Sequence, residues 1–252
     1  MIGPLFKNKS IDNYPHVLCV MVTGYTTCRI NMAKQRVKMF LRQTYNNKSL
    51  LIINDGPLLK LNHPSVYELR LPRLHDLGTL RNIALDLSFD SWVCQWDDDD
   101  IYPIDKIENQ VKQLLKSNKS ICSYRNQIIY SNVSNCAKYY TSYEWHGIEG
   151  TILHKPTEYR YPQSRMGEDT VFIEQFKDDV LVINNQPEEN IKLHHGSNVW
   201  DEFKIMGKLN GRNNIWQIND FHKRILMETL DNLHIKYSKN ISNDDKIPNI
   251  VI

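Results

Sequence analysis

The run Ser91-Trp92-Val93-Cys94-Gln95-Trp96 is mostly apolar and ends in four consecutive aspartates, Asp97 to Asp100, followed by Ile101-Tyr102-Pro103. No other stretch restricts the fold as much. A short apolar run closed by a polar cluster reads as a buried strand. A strand that delivers carboxylates at its end fits an α/β sheet, where ligands sit beyond the carboxyl ends of the strands. Carboxylates packed this closely repel one another and gain from a hard divalent cation. A cation held there is well placed to hold a diphosphate. A solvated acidic loop explains the tetrad equally well when it is taken alone, so the flanking sequence has to decide.

The first half alternates. Val17 to Thr23 is an apolar, β-rich run, and Thr27 to Gln43 carries Ile30, Ala33, Val37, Phe40 and Leu41 at helical spacing. Leu50 to Ile53 is a second strand, ended by the turn Asn54-Asp55-Gly56-Pro57. Val66 to Leu71 reads as a strand, Leu80 to Leu87 as a helix and Trp92 to Trp96 as the next strand. Beyond Pro103, Ile104, Ile107, Val111, Leu114 and Leu115 recur at helical spacing. This β-α-β-β-α-β-α order predicts an α/β fold, a mainly parallel sheet covered by helices.

The second half is less regular. Ile121 to Tyr124, Gln127 to Tyr130, Thr151 to His154, Val180 to Ile183 and Ile191 to His194 are strand candidates. Ala137 to Tyr143 is rich in tyrosine, and Glu144 to Gly150 reads as a loop. A helix is expected from Glu168 or Asp169, and Asn213 to Leu233 is amphipathic. Trp200 and Trp216 read as core or C-terminal packing. No apolar stretch approaches the roughly 20 residues that span a bilayer. Met1 to Lys9 lacks a signal-peptide core, which with five scattered cysteines and no CxxC pair leads to the expectation of a soluble, cytoplasmic protein with reduced thiols. A net charge of +2 makes no case for nucleic acid.

Six segments, in this order, resemble family 2 glycosyltransferases, nucleotide-sugar-dependent enzymes of the GT-A fold. They are the opening strand with Thr23, then Gln43-Thr44-Tyr45-Asn46, Ile52-Ile53-Asn54-Asp55-Gly56 and Gly78-Thr79-Leu80-Arg81-Asn82. Trp96 to Asp100 with Pro103 is similar to the DxD signature, and Gly167-Glu168-Asp169 with Phe172 to the catalytic acidic segment. The likeness runs from about Val17 to Asn198. It implies a single GT-A domain, with a nucleotide-binding half over about 15–120, an acceptor and catalytic half over about 121–210 and a C-terminal helical segment over about 211–252. Two departures stand out. Asn54 and Asp55 occupy the place of two aspartates, and Pro57 that of a serine. A Gln-x-x-Arg-Trp segment, carried by processive synthases of the group, is missing, which points to transfer of single sugars.

The resemblance also assigns roles. Asp169 is the expected general base, since a sugar hydroxyl needs a carboxylate to take its proton as it attacks. Asp99 is the expected ligand of Mn²⁺ or Mg²⁺, with His195 of His194-His195-Gly196-Ser197-Asn198 as a further ligand. Asp97 and Asp98 compete for the ribose and for the metal's waters, while Asp100 has the plain role of capping the next helix. Asp55 is expected to accept from the N–H of a base such as uracil, Thr23 to contact the same base, and Arg81 to clamp nucleotide or phosphate. Glu168 is expected on the acceptor side, together with Trp145, whose ring can stack on a sugar face; a core tryptophan is the alternative for the latter. The implied enzyme is an inverting, metal-dependent, hexosyltransferase-type transferase using a UDP-sugar by default and a glycan or other hydroxyl acceptor. A metal-dependent phosphohydrolase or nucleotidyltransferase is the rival reading, and it requires a second metal with further carboxylates. A catalytically silent sugar-nucleotide-binding module is another. The sequence leaves the oligomeric state open.

Overall fold

The computed structural model describes residues 14–72, 75–196, 198 and 215–232. Its first strand, β1 (Val17–Thr23), is buried along almost its whole length and pairs in parallel with β2 (Lys48–Asn54) on one side and β4 (Trp92–Gln95) on the other. β3 (Val66–Arg70) pairs in parallel with β2. β8 (Ile148–His154) runs antiparallel between β4 and β5 (Ile121–Tyr124), and β9 (Val180–Ile183) lies parallel to β5. The seven strands stand in the order β3-β2-β1-β4-β8-β5-β9, a mainly parallel sheet as expected.

Side chains alternate across a strand, and β1 sorts accordingly into two cores. Cys19 and Met21 join one apolar cluster with Ala33, Val37 and Phe40 of helix α1 (Thr27–Leu41) and Ile107, Val111 and Leu114 of α3 (Lys106–Lys116). Leu18 and Val20 join the other with Leu80 and Ala84 of α2 (Leu77–Asp86) and Phe172 and Ile173 of α4 (Glu168–Glu174). Helices therefore cover both faces, which is why the strands read as continuous apolar runs.

A second sheet of four strands has the order β10-β6-β7-β11, built from β6 (Asn126–Ser131), β7 (Cys136–Thr141), β10 (Ile191–His194) and β11 (Ile215–Gln217). It joins the first beside the aspartates, through a bridge between Ile101 and Ile191.

Four local expectations change. The loop expected over Glu144 to Gly150 is in its second part strand, because β8 begins at Ile148 between two partners that satisfy its backbone. The helix after Pro103 starts only at Lys106, leaving Ile104 outside it and exposed, while Leu115 lies within the helix but on its exposed face. The amphipathic stretch from Asn213 opens as β11, captured by the edge of β7, before helix α5 (Asp220–Asn232). Asp100 does not cap α3, whose N-cap is Asp105. Trp200, the Trp216 side chain and the tail beyond 232 lie outside the described residues. No helix among the described residues is long and apolar enough to cross a membrane.

Candidate active site

Parallel pairing sets the site. β4 starts level with β1, with Trp92 opposite Val17 and Gln95 opposite Val20; Trp96 N–H then donates to Val20 O at 3.0 Å, and the tetrad emerges at the carboxyl edge of the sheet. An open cleft of about 710 Å³, its mouth included, lies there, lined by Val22, Arg29, Leu77, Arg81, Asp97, Asp98, Asp99, the run Arg165 to Asp169, Lys192 and Asn198.

The four aspartates sit in four different environments. Asp97 is partly open, and its carboxylate accepts from Gln95 Nε2 at 3.2 and 3.0 Å and from Arg81 Nη2 at 3.2 Å. Asp98 is fully buried. Arg29 donates to both of its oxygens, from Nη2 at 2.7 Å and Nε at 3.2 Å, and the Thr23 hydroxyl donates at 2.7 Å. Burial pushes this carboxyl up to about 7 against the pull of Arg29. All three contacts are donors, so the arrangement is built for the carboxylate. Asp99 accepts from Asn198 Nδ2 at 3.0 Å and lies 3.4 Å from His195 Nε2 and 3.8 Å from Arg29 Nη1. Burial works against its charge, but the His195 bond and the Arg29 and Lys192 cations outweigh it and hold Asp99 well below the usual carboxylate range. Asp100 is buried outside the cleft lining, raised to about 7 by burial against the pull of Lys192. Buried Arg36 donates to the main-chain oxygens of Asp99 (2.7 Å) and Asp100 (2.5 Å), which fixes the turn that splays these side chains apart.

Gly167 precedes α4 with φ 71°, in the left-handed region that favours glycine. The chain therefore turns directly into the helix, with Glu168 and Asp169 in its first turn. Asp169 lines the cleft, its Oδ1 accepting from Thr170 N at 3.0 Å. Glu168 is buried, with Oε1 3.2 Å from Arg81 Nε. Arg81 thus bridges Asp97 and Glu168, with its guanidinium 5.6 Å from the Tyr161 ring. Burial opposes its charge, but Asp97 and the other acidic neighbours outweigh that cost and hold its pKa above the usual value.

Thr23 and Asp55 do not line the cleft. They meet at the ends of β1 and β2, where Asp55 N–H donates to Thr23 O at 3.4 Å and Asp55 Oδ1 is buried with no hydrogen-bond partner. Trp145 is 49 % exposed, not a core tryptophan, and lies outside the lining. Its ring is 5.1 Å from that of His146, whose Nδ1 is 3.9 Å from Glu149 Oε1. Thr170 Oγ1 donates to that same oxygen at 3.2 Å, so a string of contacts joins Trp145 to the neighbour of Asp169.

Among the described residues, no three or more His, Cys, Asp and Glu side chains gather around one point, so the second metal cluster that the phosphohydrolase reading needs is not among them. Asp99 and His195 form the pair that can share a cation. Donors about 2.1 Å from one ion can stand up to about 4.2 Å apart, and these stand 3.4 Å apart. Waters and substrate phosphates would supply the remaining ligands, the usual arrangement for Mg²⁺. One carboxylate oxygen and one imidazole nitrogen at this separation fit a divalent cation whose other ligands come from elsewhere.

The family model described as "Glycosyl transferase family 2" matches residues 26–176, more than half of the chain. The chain belongs to glycosyl transferase family 2. The matched segment of this family 2 glycosyltransferase carries Asp55, Arg81, the tetrad, Trp145, Glu168 and Asp169, and stops before His195. No curated protein sequence gives a significant match. Among solved structures, the fold is similar to that of S. aureus TarS 1-349, with a TM-score of 0.55 at 12% identity over 88% of this chain and 72% of that one. TarS 1-349 in complex with UDP gives 0.55 at 12% identity over 84% and 70%, and the UDP-GlcNAc complex 0.54 at 13% over 88% and 73%. The chain spans 44% of the longer TarS structure. At these identities the likeness is one of fold, GT-A. Within this family 2 chain, the structure adds Arg29, Lys192, Asn198 and Glu149 to the residues read from sequence. Asn198 closes the His194-to-Asn198 cluster but had no role assigned there; Arg29, Lys192 and Glu149 carry no motif, and Lys192 is a lone polar residue flanked by apolar ones.

Proposed function

We propose that this glycosyltransferase moves a single sugar, with inversion, from a nucleoside-diphosphate donor to a hydroxyl of a glycan or other acceptor, assisted by Mn²⁺ or Mg²⁺. One arrangement carries the reading: Asp97 to Asp99 and Asp169 line the same cleft, with Arg81 bridging its two sides. UDP-sugar is the first choice of donor, because the similar TarS 1-349 fold binds UDP and UDP-GlcNAc. The unsatisfied Asp55 oxygen beside Thr23 is suited to accept from a base N–H. Asp97 is the more open of the first two aspartates and takes the ribose side, while buried Asp98 keeps Arg29 and Thr23 in place. A cation on Asp99 and His195 would supply Lewis-acid stabilisation of charge on the departing diphosphate. Asp169 takes the proton of the acceptor hydroxyl, its charge favoured at a helix start. Glu168, held by Arg81, orients the acceptor side of the cleft, and exposed Trp145 offers a face for the acceptor's sugar. The five cysteines among the described residues are all unpaired, which suits the reducing cytoplasm.

Ligands that bind only the folded state raise its melting temperature by mass action. Melting temperature is therefore measured with UDP, GDP, dTDP and their sugar conjugates, with and without Mn²⁺. A metal-dependent rise for one base is expected, and it identifies the donor nucleotide. No rise with any member overturns the reading.

A further inference from the structure

Lys192 is a cation in this cleft that the aspartate motif does not account for. It sits on β10, between the buried core residues Ile191 and Leu193. β10 is tied to the chain directly after the tetrad by two backbone bonds, Ile101 N–H to Ile191 O at 2.8 Å and Ile191 N–H to Ile101 O at 3.0 Å. Strand alternation therefore turns Lys192 away from the core and toward the cleft, which it lines with Asp97, Asp98, Asp99 and Asp169. Its charge is secured by Asp100 first and then Asp99, Asp97 and Asp169, against the cost of burial.

The neighbouring cations are already engaged. Arg29 spends its donors on Asp98, Arg81 spans Asp97 and Glu168, and Arg36 is held by the main-chain oxygens of Asp99 and Asp100. Arg165 stands at the exposed lip. Lys192, by contrast, makes no hydrogen bond or close ion pair among the described residues, although an ammonium carries three donors. A charged donor group facing a cleft, with acidic groups near enough to keep it protonated but not bonded to it, is poised for an incoming anion.

We propose that Lys192 binds the diphosphate of the donor directly and stabilises the negative charge that builds on the nucleoside diphosphate as its bond to the sugar breaks. The inference rests on the nucleotide-sugar reading above and adds to it a residue on the protein side of the leaving group. It also gives the cleft a positive contact that does not depend on a divalent ion.

The test is titration calorimetry, with Mn²⁺ present throughout, of wild type, Lys192→Gln and Lys192→Arg. Each is titrated with the diphosphate (UDP, GDP or dTDP) that wild type binds and with the corresponding nucleoside. One charge-assisted contact corresponds to about 10- to 100-fold in affinity. Lys192→Gln is expected to lose that much for the diphosphate and nothing for the nucleoside, with Lys192→Arg recovering part of the loss. Equal diphosphate affinity in wild type and Lys192→Gln overturns the proposal, as does an equal loss for diphosphate and nucleoside, which marks a merely structural role. If Lys192→Gln fails to fold because Asp100 loses its cation, the double variant Asp100→Asn/Lys192→Gln removes both charges and takes its place in the comparison. Failure of wild type to bind any nucleoside diphosphate is a different result: it removes the donor reading itself, and the Lys192 proposal with it.

Discussion

Asp169 and Asp99 line one cleft, and small substitutions separate the tasks proposed for them. Asp169→Asn keeps the side chain's size but removes its ability to take a proton. Transfer is expected to fall by at least about 100-fold, with nucleotide affinity unchanged in calorimetry. Turnover close to wild type would rule out Asp169 as the base. Asp99→Ala is expected to weaken nucleotide binding when Mn²⁺ is present and to leave it unaltered in EDTA. The same affinity change in both conditions would sink the cation assignment. Asp97 to Asp99 were legible as a run of charge at the end of an apolar segment, and Glu168 and Asp169 as an acidic pair after a glycine that resembles the family's acidic segment. Arg29 and Lys192 were not, because a single polar residue gains its meaning from what the fold sets opposite it. Asp100 is the instructive case. It is chemically identical to its three neighbours, yet the turn held by Arg36 places it inside, beside Lys192 and away from the cleft lining.

At the level of elements, the Gly78-to-Asn82 segment acquires a physical reason. Gly78 N–H donates to Ser164 O at 3.0 Å, and Asn82 exchanges two 2.8 Å hydrogen bonds with the main chain of Tyr161. Helix α2 thereby clamps the stretch that leads into Arg165, Glu168 and Asp169. A Cβ at position 78 would stand 1.8 Å from the main-chain oxygen of Pro162, a contact that only a backbone shift can relieve. Gly78→Ala is expected to destabilise the protein by about 1–3 kcal/mol and to lower transfer by loosening that stretch. Urea unfolding measures the first and initial rates the second; an unchanged midpoint would show that the clamp is not tight. Sequence periodicity located α1, α2 and β1 to β4 well because their apolar faces are regular. It missed the start of β8 and all of β11, since both owe their strand form to partners distant in the chain.

For the molecule as a whole, His154 links the sheet to helix α4. It lies on β8 with its ring 5.2 Å from Phe172 and 6.1 Å from Phe176. Nδ1 pairs with Lys155 O at 2.7 Å, while Nε2 is buried without a hydrogen-bond partner. Burial lowers its pKa to about 4. The unfolded chain takes up a proton near pH 6.5 and the folded one only near 4, so the linked stability is complete above about 6.5 and drains away as pH falls toward 4. The shift corresponds to roughly 3 kcal/mol. Urea midpoints of wild type and His154→Leu are compared between about pH 7 and pH 4.5; the wild-type midpoint is expected to fall more steeply than that of the variant, which lacks this titration. Parallel pH profiles would show that His154 is not buried as a neutral ring.

What the sequence determined alone was the kind of fold and the chemical character of its site. Buried strands alternating with amphipathic helices leave little choice but a helix-covered sheet, and charge placed at strand and helix ends has to appear at that sheet's carboxyl edge. Only the tertiary structure decided which charges meet. The parallel register of β1 with β4, the bridge from Ile101 to Ile191 and the clamp from Gly78 bring together residues as much as 99 positions apart, such as Asp99 and Asn198. Long-range pairings of this kind are cooperative products of packing, and no local pattern in the chain encodes them.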